Sequence, residues 1–179
     1  MCRTTFSRGI VTICAEAEQI SGTERRPSMV ENDRPSAQRR IYVDMVGDLF
    51  HMGHVGLLKA ARECGDWLIV GVLSDEVASS YKRRPIMKLA ERVTVIEACR
   101  YVDEVIPNAP YRLTTEFLEE HDVAMVVHGD DIAPDVIADI YGAASAADKL
   151  KLVSYTAGIS TTDLIRRVQE RASSCRPMS

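Results

Sequence analysis

The sequence predicts a doubly wound α/β domain that is built on a five-stranded parallel sheet. From residue 40 onward, short runs of β-branched and other apolar residues alternate five times with segments of helical periodicity. Two of the apolar runs, over residues 66–73 and 123–128, are continuous, as expected for strands that are buried on both faces. With 46% hydrophobic and 27% charged residues, the 179-residue chain has the composition and length of one globular domain with a substantial core.

The first half of the domain is predicted to contain a strand, a helix, a strand, two helices and a strand, over residues 40–46, 52–64, 66–73, 74–82, 89–100 and 102–106. In the first helix, Val55, Leu58 and Ala61 recur at helical spacing, and Gly65 is a suitable C-terminal stop. The next helix begins at Ser74, because serine caps helix N-termini and the acidic residues after it suit the first turn. A proline-broken loop, "KRRPIM", separates the two consecutive helices.

The second half repeats the alternation as helix, strand, helix, strand and helix, over residues 114–121, 123–128, 135–148, 149–155 and 160–171. Thr114 is a good N-cap for the first of these helices. Right-handed crossovers through helices predict that the strands run parallel, with helices on both faces of the sheet. Ligands of such sheets bind at the carboxyl ends of the strands, where the strand order reverses.

The first 40 residues differ in composition from the rest of the chain. They mix arginine, serine and proline, and their one short apolar run, "GIVTICA", is at the short end for a signal-peptide core and has no clear cleavage site after it. The two early arginines are also compatible with a transit peptide, which the acidic residues that follow disfavour. We expect a disordered N-terminal extension over residues 1–39, a folded domain over 40–172 and a flexible tail over 173–179. Met29 is an alternative start, because domain-like periodicity begins only at Ile41.

Net charge and cysteine usage narrow the class of protein. A formal net charge of -4 and a pI near 5.6 disfavour bulk binding to nucleic acid or to anionic membranes, so phosphates would need a local pocket. No apolar run approaches the ~20 residues of a membrane span. The five cysteines form no C-x-x-C pair, which predicts a reduced, cytoplasmic protein.

Three polar stretches follow predicted strands and should meet at one edge of the sheet. They are "HMGH" at residues 51–54, "GDD" at 129–131 and "GISTT" at 158–162. His51 and His54 lie three residues apart at the first turn of a helix, whose free N–H groups and partial positive charge attract phosphate. A chance surface pair and two zinc ligands are the alternatives, although no further ligand nearby completes a zinc site.

These stretches resemble the nucleotidyltransferase superfamily, whose H-x-G-H motif matches "HMGH". The segments "CRYVDEVIPNAPY", "VVHGDDI" and "GISTTDLI" are similar to those of cytidylyltransferases that act on phosphoethanolamine, phosphocholine and glycerol 3-phosphate. The resemblance runs from about residue 41 to residue 168, and "GDWLIVGVLSDE" and "NAPY" bring it nearest to the ethanolamine-phosphate type. It implies a Rossmann-like fold and transfer of CMP from CTP to a small alcohol phosphate.

The resemblance also implies which residues act. His51, His54 and Lys82 would be catalytic, with Mg²⁺ bound through the nucleotide phosphates and no metal held by the protein alone. Asp131 would accept a hydrogen bond from the cytosine amino group, and Arg92 would reach a phosphate. The implied CTP-binding residues are Val46, Asp48, Gly53, Arg92, Asp131, Gly158, Ile159, Ser160, Thr161 and Thr162.

Several of these residues also have a plain structural interpretation. Read alone, Lys82 is a solvated loop lysine, Arg92 an exposed helix residue and Asp131 a turn aspartate. The hydroxyls of Ser160 and Thr161 could simply cap the last helix. The "RYVDEV" stretch lies at the dimer interface in the family, so the resemblance implies a homodimer.

The chain departs from the family pattern at two places in the site. Met45-Val46-Gly47-Asp48 stands where the family has Gly-x-Phe-Asp, and Tyr155 stands where it has an arginine that faces a phosphate. Arg83 or Arg84 could compensate for that missing charge. These differences leave the acceptor open: phosphoethanolamine is favoured, glycerol 3-phosphate and a phosphonate such as hydroxyethylphosphonate are alternatives, and one tryptophan is few aromatics for phosphocholine. A nucleotide-binding subunit or sensor without turnover is the alternative from another class.

Overall fold

The computed structural model describes residues 38–154 and 156–174. The strands are β1 (Arg40–Met45), β2 (Trp67–Val72), β3 (Glu104–Pro107), β4 (Val123–Gly129) and β5 (Leu150–Val153). They form one parallel sheet in the order β3-β2-β1-β4-β5, so the strand order reverses beside β1. The predicted doubly wound five-stranded sheet is confirmed.

The helices in the described part of the chain connect these strands. They are α1 (Met52–Arg62), α2 (Asp75–Tyr81), α3 (Leu89–Glu97), α4 (Thr115–Glu120), α5 (Pro134–Ile140), α6 (Gly142–Ala146) and α7 (Thr161–Ser174). None of the helices found in this part is long and apolar enough to cross a membrane. The predicted caps at Ser74 and Thr114 are confirmed, because their hydroxyls accept hydrogen bonds from Val77 N and Phe117 N.

The predicted helix over residues 135–148 is wrong as a single element. It is two short helices that meet at Tyr141, whose φ of -111° and ψ of 16° leave the helical region. The hydroxyl of Tyr141 donates to Asp44 on β1, and this buried contact sets the chain direction that the local apolar spacing did not reveal.

The last helix extends to Ser174, three residues beyond its predicted end at residue 171. Residues 173 and 174 of the predicted tail therefore belong to α7, and residues 175–179 lie outside the described residues. The predicted extension over 1–39 also lies outside them, except for residues 38 and 39.

The core lies on both faces of the central strands, because successive side chains of a strand point to opposite faces. On one face, Ile41 and Val43 of β1 pack with α1, α3 and Val70 of β2. On the other face, Tyr42 and Ile69 pack against the apolar sides of α4, α5 and α6. This two-sided burial explains the continuous apolar run of β2 and fixes where β1 ends, with Asp44 near its carboxyl end.

Candidate active site

A cavity of about 590 Å³ opens at the carboxyl end of the sheet. Its walls come from the ends of β1 and β4, the start of α1, the loop after α2, the exit of β5 and the start of α7. The structure thus brings the three predicted stretches together. The predicted site residues that line the cavity are His51, His54, Lys82, Val46, Asp48, Gly53, Asp131, Ser160, Thr161 and Thr162.

The two histidines form the N-cap of α1. His51 is the N-cap residue, and its Nδ1 accepts a hydrogen bond from Gly53 N at 3.1 Å. The Nδ1 of His54 accepts from His51 N at 3.2 Å, so the pair acts as a capping box in place of the usual serine and glutamate. Their ring centroids lie 4.0 Å apart, and Phe50 stacks on the other side of His54 at 5.4 Å.

This capping fixes the protonation of both rings. A ring nitrogen that accepts from a backbone N–H carries no proton, so the neutral histidine holds its proton on Nε2. Burial lowers the pKa of His51, and burial together with the neighbouring His51 lowers the pKa of His54 to about 4. At neutral pH both histidines, which line the cavity, therefore carry their proton on Nε2 and add no positive charge.

Gly53 makes this arrangement possible. A Cβ on residue 53 would lie 2.8 Å from Cε1 of His51 and 3.5 Å from Cγ2 of Ile159. Glycine therefore provides room for the ring of His51 as well as for a ligand at the helix N-terminus.

Asp48 connects the histidine loop with the loop that follows α2. Its carboxylate accepts hydrogen bonds from Ile86 N at 3.1 Å and Met87 N at 2.9 Å, and Nη1 of Arg83 lies 3.2 Å away. Burial alone would raise the pKa of Asp48, but these hydrogen bonds outweigh burial and hold its pKa below the ordinary value. The carbonyl of Asp48 also accepts from Thr161 Oγ1 at 3.1 Å, at the start of α7.

Lys82 is exposed at the mouth of the cavity. Its Nζ lies 5.5 Å from the ring centroid of Tyr81, and its charge acts on both Asp44 and His54. The ammonium therefore lies on the same cavity as Asp44 and the capping pair.

Asp44 was not among the residues predicted for the site. It lines the cavity near the end of β1, and the hydroxyl of Tyr141 donates to its two oxygens at 2.8 and 3.0 Å. Burial raises the pKa of Asp44, and the Tyr141 hydrogen bond and the charge of Lys82 oppose that rise. His128 lines the cavity beside it, with its ring centroid 5.2 Å from that of Tyr141. A charged residue among apolar neighbours near the carboxyl end of a strand was the signal that could have identified Asp44.

Arg92 corrects one expectation. It is 0% exposed, so it does not sit on the helix surface, and it is not among the residues that line the cavity; its contact with a phosphate stays a prediction. Its guanidinium donates to the carbonyls of Val46 and Met87 and to the carboxylate of Asp75. Arg92 therefore holds the histidine loop, α2 and the loop before α3 together from behind.

The start of α7 completes the wall. Gly158 has a φ of +87°, a conformation that favours glycine, and it turns the chain towards Ser160. Ser160 Oγ accepts from Asp163 N at 3.1 Å and so caps the helix, as the structural interpretation of that hydroxyl predicted. Gly158 and Ile159 are not among the lining residues, and the predicted consequence of Tyr155 lies outside the described residues.

Asp131 lines the cavity after β4 and is exposed, so its carboxylate is accessible to a ligand. Across residues 38–154 and 156–174, no group of three or more histidine, cysteine or acidic residues is arranged to hold a metal ion.

Much of this chain is similar in sequence to known proteins. The family model described as cytidylyltransferase-like matches residues 47–167. The chain is 40% identical over 135 residues to an ethanolamine-phosphate cytidylyltransferase of Arabidopsis thaliana, which covers 72% of this chain and 32% of that protein. It is 42% identical over 133 residues to choline-phosphate cytidylyltransferase A of Homo sapiens, covering 72% of this chain and 36% of that protein. The chain spans about a third of the length of these curated relatives.

A solved structure shares the fold. The lipopolysaccharide core biosynthesis protein from Thermoplasma volcanium GSS1 superposes with a TM-score of 0.55 at 22% identity, and the match covers 67% of this chain and 98% of that one.

Proposed function

The chain belongs to the cytidylyltransferase-like family, and we propose that it transfers CMP from CTP to a small alcohol phosphate, with release of pyrophosphate. Phosphoethanolamine is the acceptor that the site favours. The observation that carries the proposal is the capping pair: two neutral histidines and the cation of Lys82 line one cavity at a helix N-terminus.

The reaction needs alignment and charge stabilisation more than proton transfer. A phosphomonoester has its second pKa near ~6, so the acceptor is already a nucleophilic dianion at neutral pH. One of its oxygens attacks the α-phosphorus of CTP, and the bond from that phosphorus to the bridging oxygen of the β-phosphate breaks. The Nε2–H groups of His51 and His54 donate to the oxygens on which charge develops, and Lys82 holds the two phosphates together.

We propose Mg²⁺ as the cofactor, bound mainly through the nucleotide phosphates. Magnesium commonly binds through phosphates and one or two carboxylates, and it needs no protein cage. The cavity fits this role because Asp44, Asp48 and Asp131 outnumber its two permanent cations, Lys82 and Arg83. When bound, the ion neutralises charge on the phosphates.

Asp44 supports an acceptor with an ammonium group. Its carboxylate lines the same cavity as Lys82 and interacts electrostatically with that cation. A molecule with a phosphate at one end and an ammonium at the other can therefore pair its phosphate with Lys82 and its ammonium with Asp44. Glycerol 3-phosphate and hydroxyethylphosphonate lack the ammonium group and would leave Asp44 without this partner. A trimethylammonium group gains most from surrounding aromatic faces, and Tyr81 is the tyrosine among the lining residues in the described chain.

We propose that Asp131 selects cytosine. A carboxylate accepts a hydrogen bond from the amino group of cytosine, whereas uracil presents a carbonyl at that position. The substitution Asp131→Ala should reduce the preference for CTP over UTP about tenfold or more, in the range of one hydrogen bond to a charged group. The measurement is kcat/KM for both nucleotides, and an unchanged ratio would contradict this assignment.

We propose a cytoplasmic homodimer. A groove at the junction of α1 and α3 is lined by Phe50, Val55, Val95 and Tyr101, and Val95 is 38% exposed. These apolar residues adjoin the "RYVDEV" stretch and would be covered by a second copy. Free thiols at Cys64 and Cys99 support a reducing compartment. Sedimentation equilibrium of wild type and Val95→Glu tests the dimer, since the substitution should yield monomers.

The decisive test is pyrophosphate release from CTP and Mg²⁺ with a panel of acceptors. Phosphoethanolamine should give the highest kcat/KM, ahead of phosphocholine, glycerol 3-phosphate and hydroxyethylphosphonate. If CTP binds but no acceptor yields pyrophosphate, the chain is a nucleotide-binding subunit or sensor. Replacement of CTP by ATP is the control for base selection.

A further inference from the structure

We propose that Arg83 binds the β- or γ-phosphate of the nucleotide, an inference that rests on the function proposed for this cavity. Lys82 and Arg83 are the two permanently cationic side chains that line it among the described residues. Asp44, Asp48 and Asp131 also line the cavity, so its carboxyl groups outnumber its permanent cations. A cavity that takes a triphosphate needs both cations near the phosphates, and Lys82 alone does not balance the carboxylates.

The position of Arg83 assigns it to the far phosphates. Its Nη1 lies 3.2 Å from Asp48, and Asp48 is hydrogen-bonded through its carbonyl to Thr161 at the start of α7. Arg83 is therefore linked through Asp48 to the start of α7, which lines the same cavity. Lys82, in contrast, has no ion pair within 4 Å in the described residues, and its Nζ lies 5.5 Å from the ring centroid of Tyr81.

Asp48 can orient the guanidinium of Arg83 and still allow it to turn towards a ligand. Two backbone N–H groups, of Ile86 and Met87, also donate to this carboxylate, so it stays paired when the guanidinium turns towards a ligand. The side chain of Arg83 is 41% exposed, and one of its five N–H donors is used by Asp48. A guanidinium held in this way can present two parallel donors to a phosphate.

The test is calorimetric binding of CTP and of CMP to wild type, Arg83→Ala, Arg83→Lys and Arg84→Ala. Arg84 is the matched control, because it is the next residue, is exposed and is not among the cavity-lining residues. Loss of a hydrogen bond to a charged group should weaken CTP binding by Arg83→Ala about 10- to 100-fold. CMP lacks the β- and γ-phosphates, so its affinity should stay within twofold. The CTP affinity of Arg83→Lys should lie between those of wild type and Arg83→Ala, and the CTP affinity of Arg84→Ala should match that of wild type.

The outcomes separate this inference from the proposed function. Absence of pyrophosphate release by wild type with every acceptor refutes the function, whatever the binding data show. If wild type turns over and Arg83→Ala binds CTP as Arg84→Ala does, Arg83 has no phosphate contact. An equal loss of CTP and CMP affinity also overturns the inference, since Arg83 would then only hold its loop. Arg83→Gln replaces Arg83→Ala in the same comparison if thermal unfolding shows that the alanine variant does not fold.

Discussion

His54 combines two tasks that different substitutions can separate. Its Nδ1 caps α1 through His51 N, and its Nε2–H is the donor that we assign to the transition state. His54→Ala removes both. Loss of an oriented transition-state donor lowers kcat by about 10²–10³, and loss of an N-cap acceptor lowers the free energy of unfolding by about 1 kcal/mol.

The substitutions His54→Asn and His54→Gln each remove one of the two roles of His54 and keep the other. The amide oxygen of His54→Asn lies about where Nδ1 lies and can keep the cap, but no donor reaches as far as Nε2. The amide nitrogen of His54→Gln reaches about as far as Nε2 but provides no acceptor close to the backbone. We expect His54→Asn to be as stable as wild type and nearly inactive, and His54→Gln to be less stable and partly active.

The assay is pyrophosphate release at saturating CTP and acceptor, with urea denaturation of the same four proteins. If His54→Asn keeps more than a tenth of the wild-type kcat, the donor role is refuted. In that case the lower kcat of His54→Ala would result from loss of the helix cap alone.

Three further predictions concern the surroundings of the capping pair. Asp44→Asn should raise KM for phosphoethanolamine about 10- to 100-fold and leave KM for CTP within about threefold, because it removes the charge that faces the ammonium; a larger change for CTP would contradict this. Arg92→Met should lower the free energy of unfolding in urea by about 3–5 kcal/mol, because it leaves Asp75 and the Val46 carbonyl without their partner, and a loss below 1 kcal/mol would be inconsistent with that role. Wild-type stability should fall by about 3 kcal/mol as the pH drops from 6.5 to about 4, because the unfolded chain binds the proton near 6.5 and folded His54 only near 4. The His54→Asn variant should have a shallower slope, because the lowered pKa of His51 remains, and parallel stability curves for the two proteins would refute this contribution of His54.

The sheet could be predicted from local patterns, because its strands are apolar on both faces and its helices carry local caps. Ser74 and Thr114 mark helix starts with hydroxyls that bond only a few residues away, so the sequence contains all that is needed. The break at Tyr141 has no such local signal. Its partner, Asp44, is 97 residues away, and that contact exists only once the sheet has formed.

The same distinction explains the errors in the site. His51, His54 and Asp131 follow strands directly, so topology alone places them at the rim. Arg92 lies on a helix whose distance from the rim depends on how α3 packs, so its burial against Asp75 and Val46 could not be predicted from local spacing, which indicated an exposed residue. The capping role of the histidines was also hidden, because serine and threonine are the residues that usually cap helices.

The loop that follows α2 should determine nucleotide affinity, because it carries the positive charge of the cavity. Both permanent cations of the described lining are consecutive residues, Lys82 and Arg83, on the loop that follows α2. That loop is held on the rim through the bonds of Asp48 to Ile86 N and Met87 N. Asp48→Asn would keep the size of the side chain but exchange one acceptor oxygen for a donor, so it should move both cations together. Its effect on CTP affinity should therefore exceed that of Arg83→Ala, and a smaller effect would mean that the loop keeps its place without Asp48.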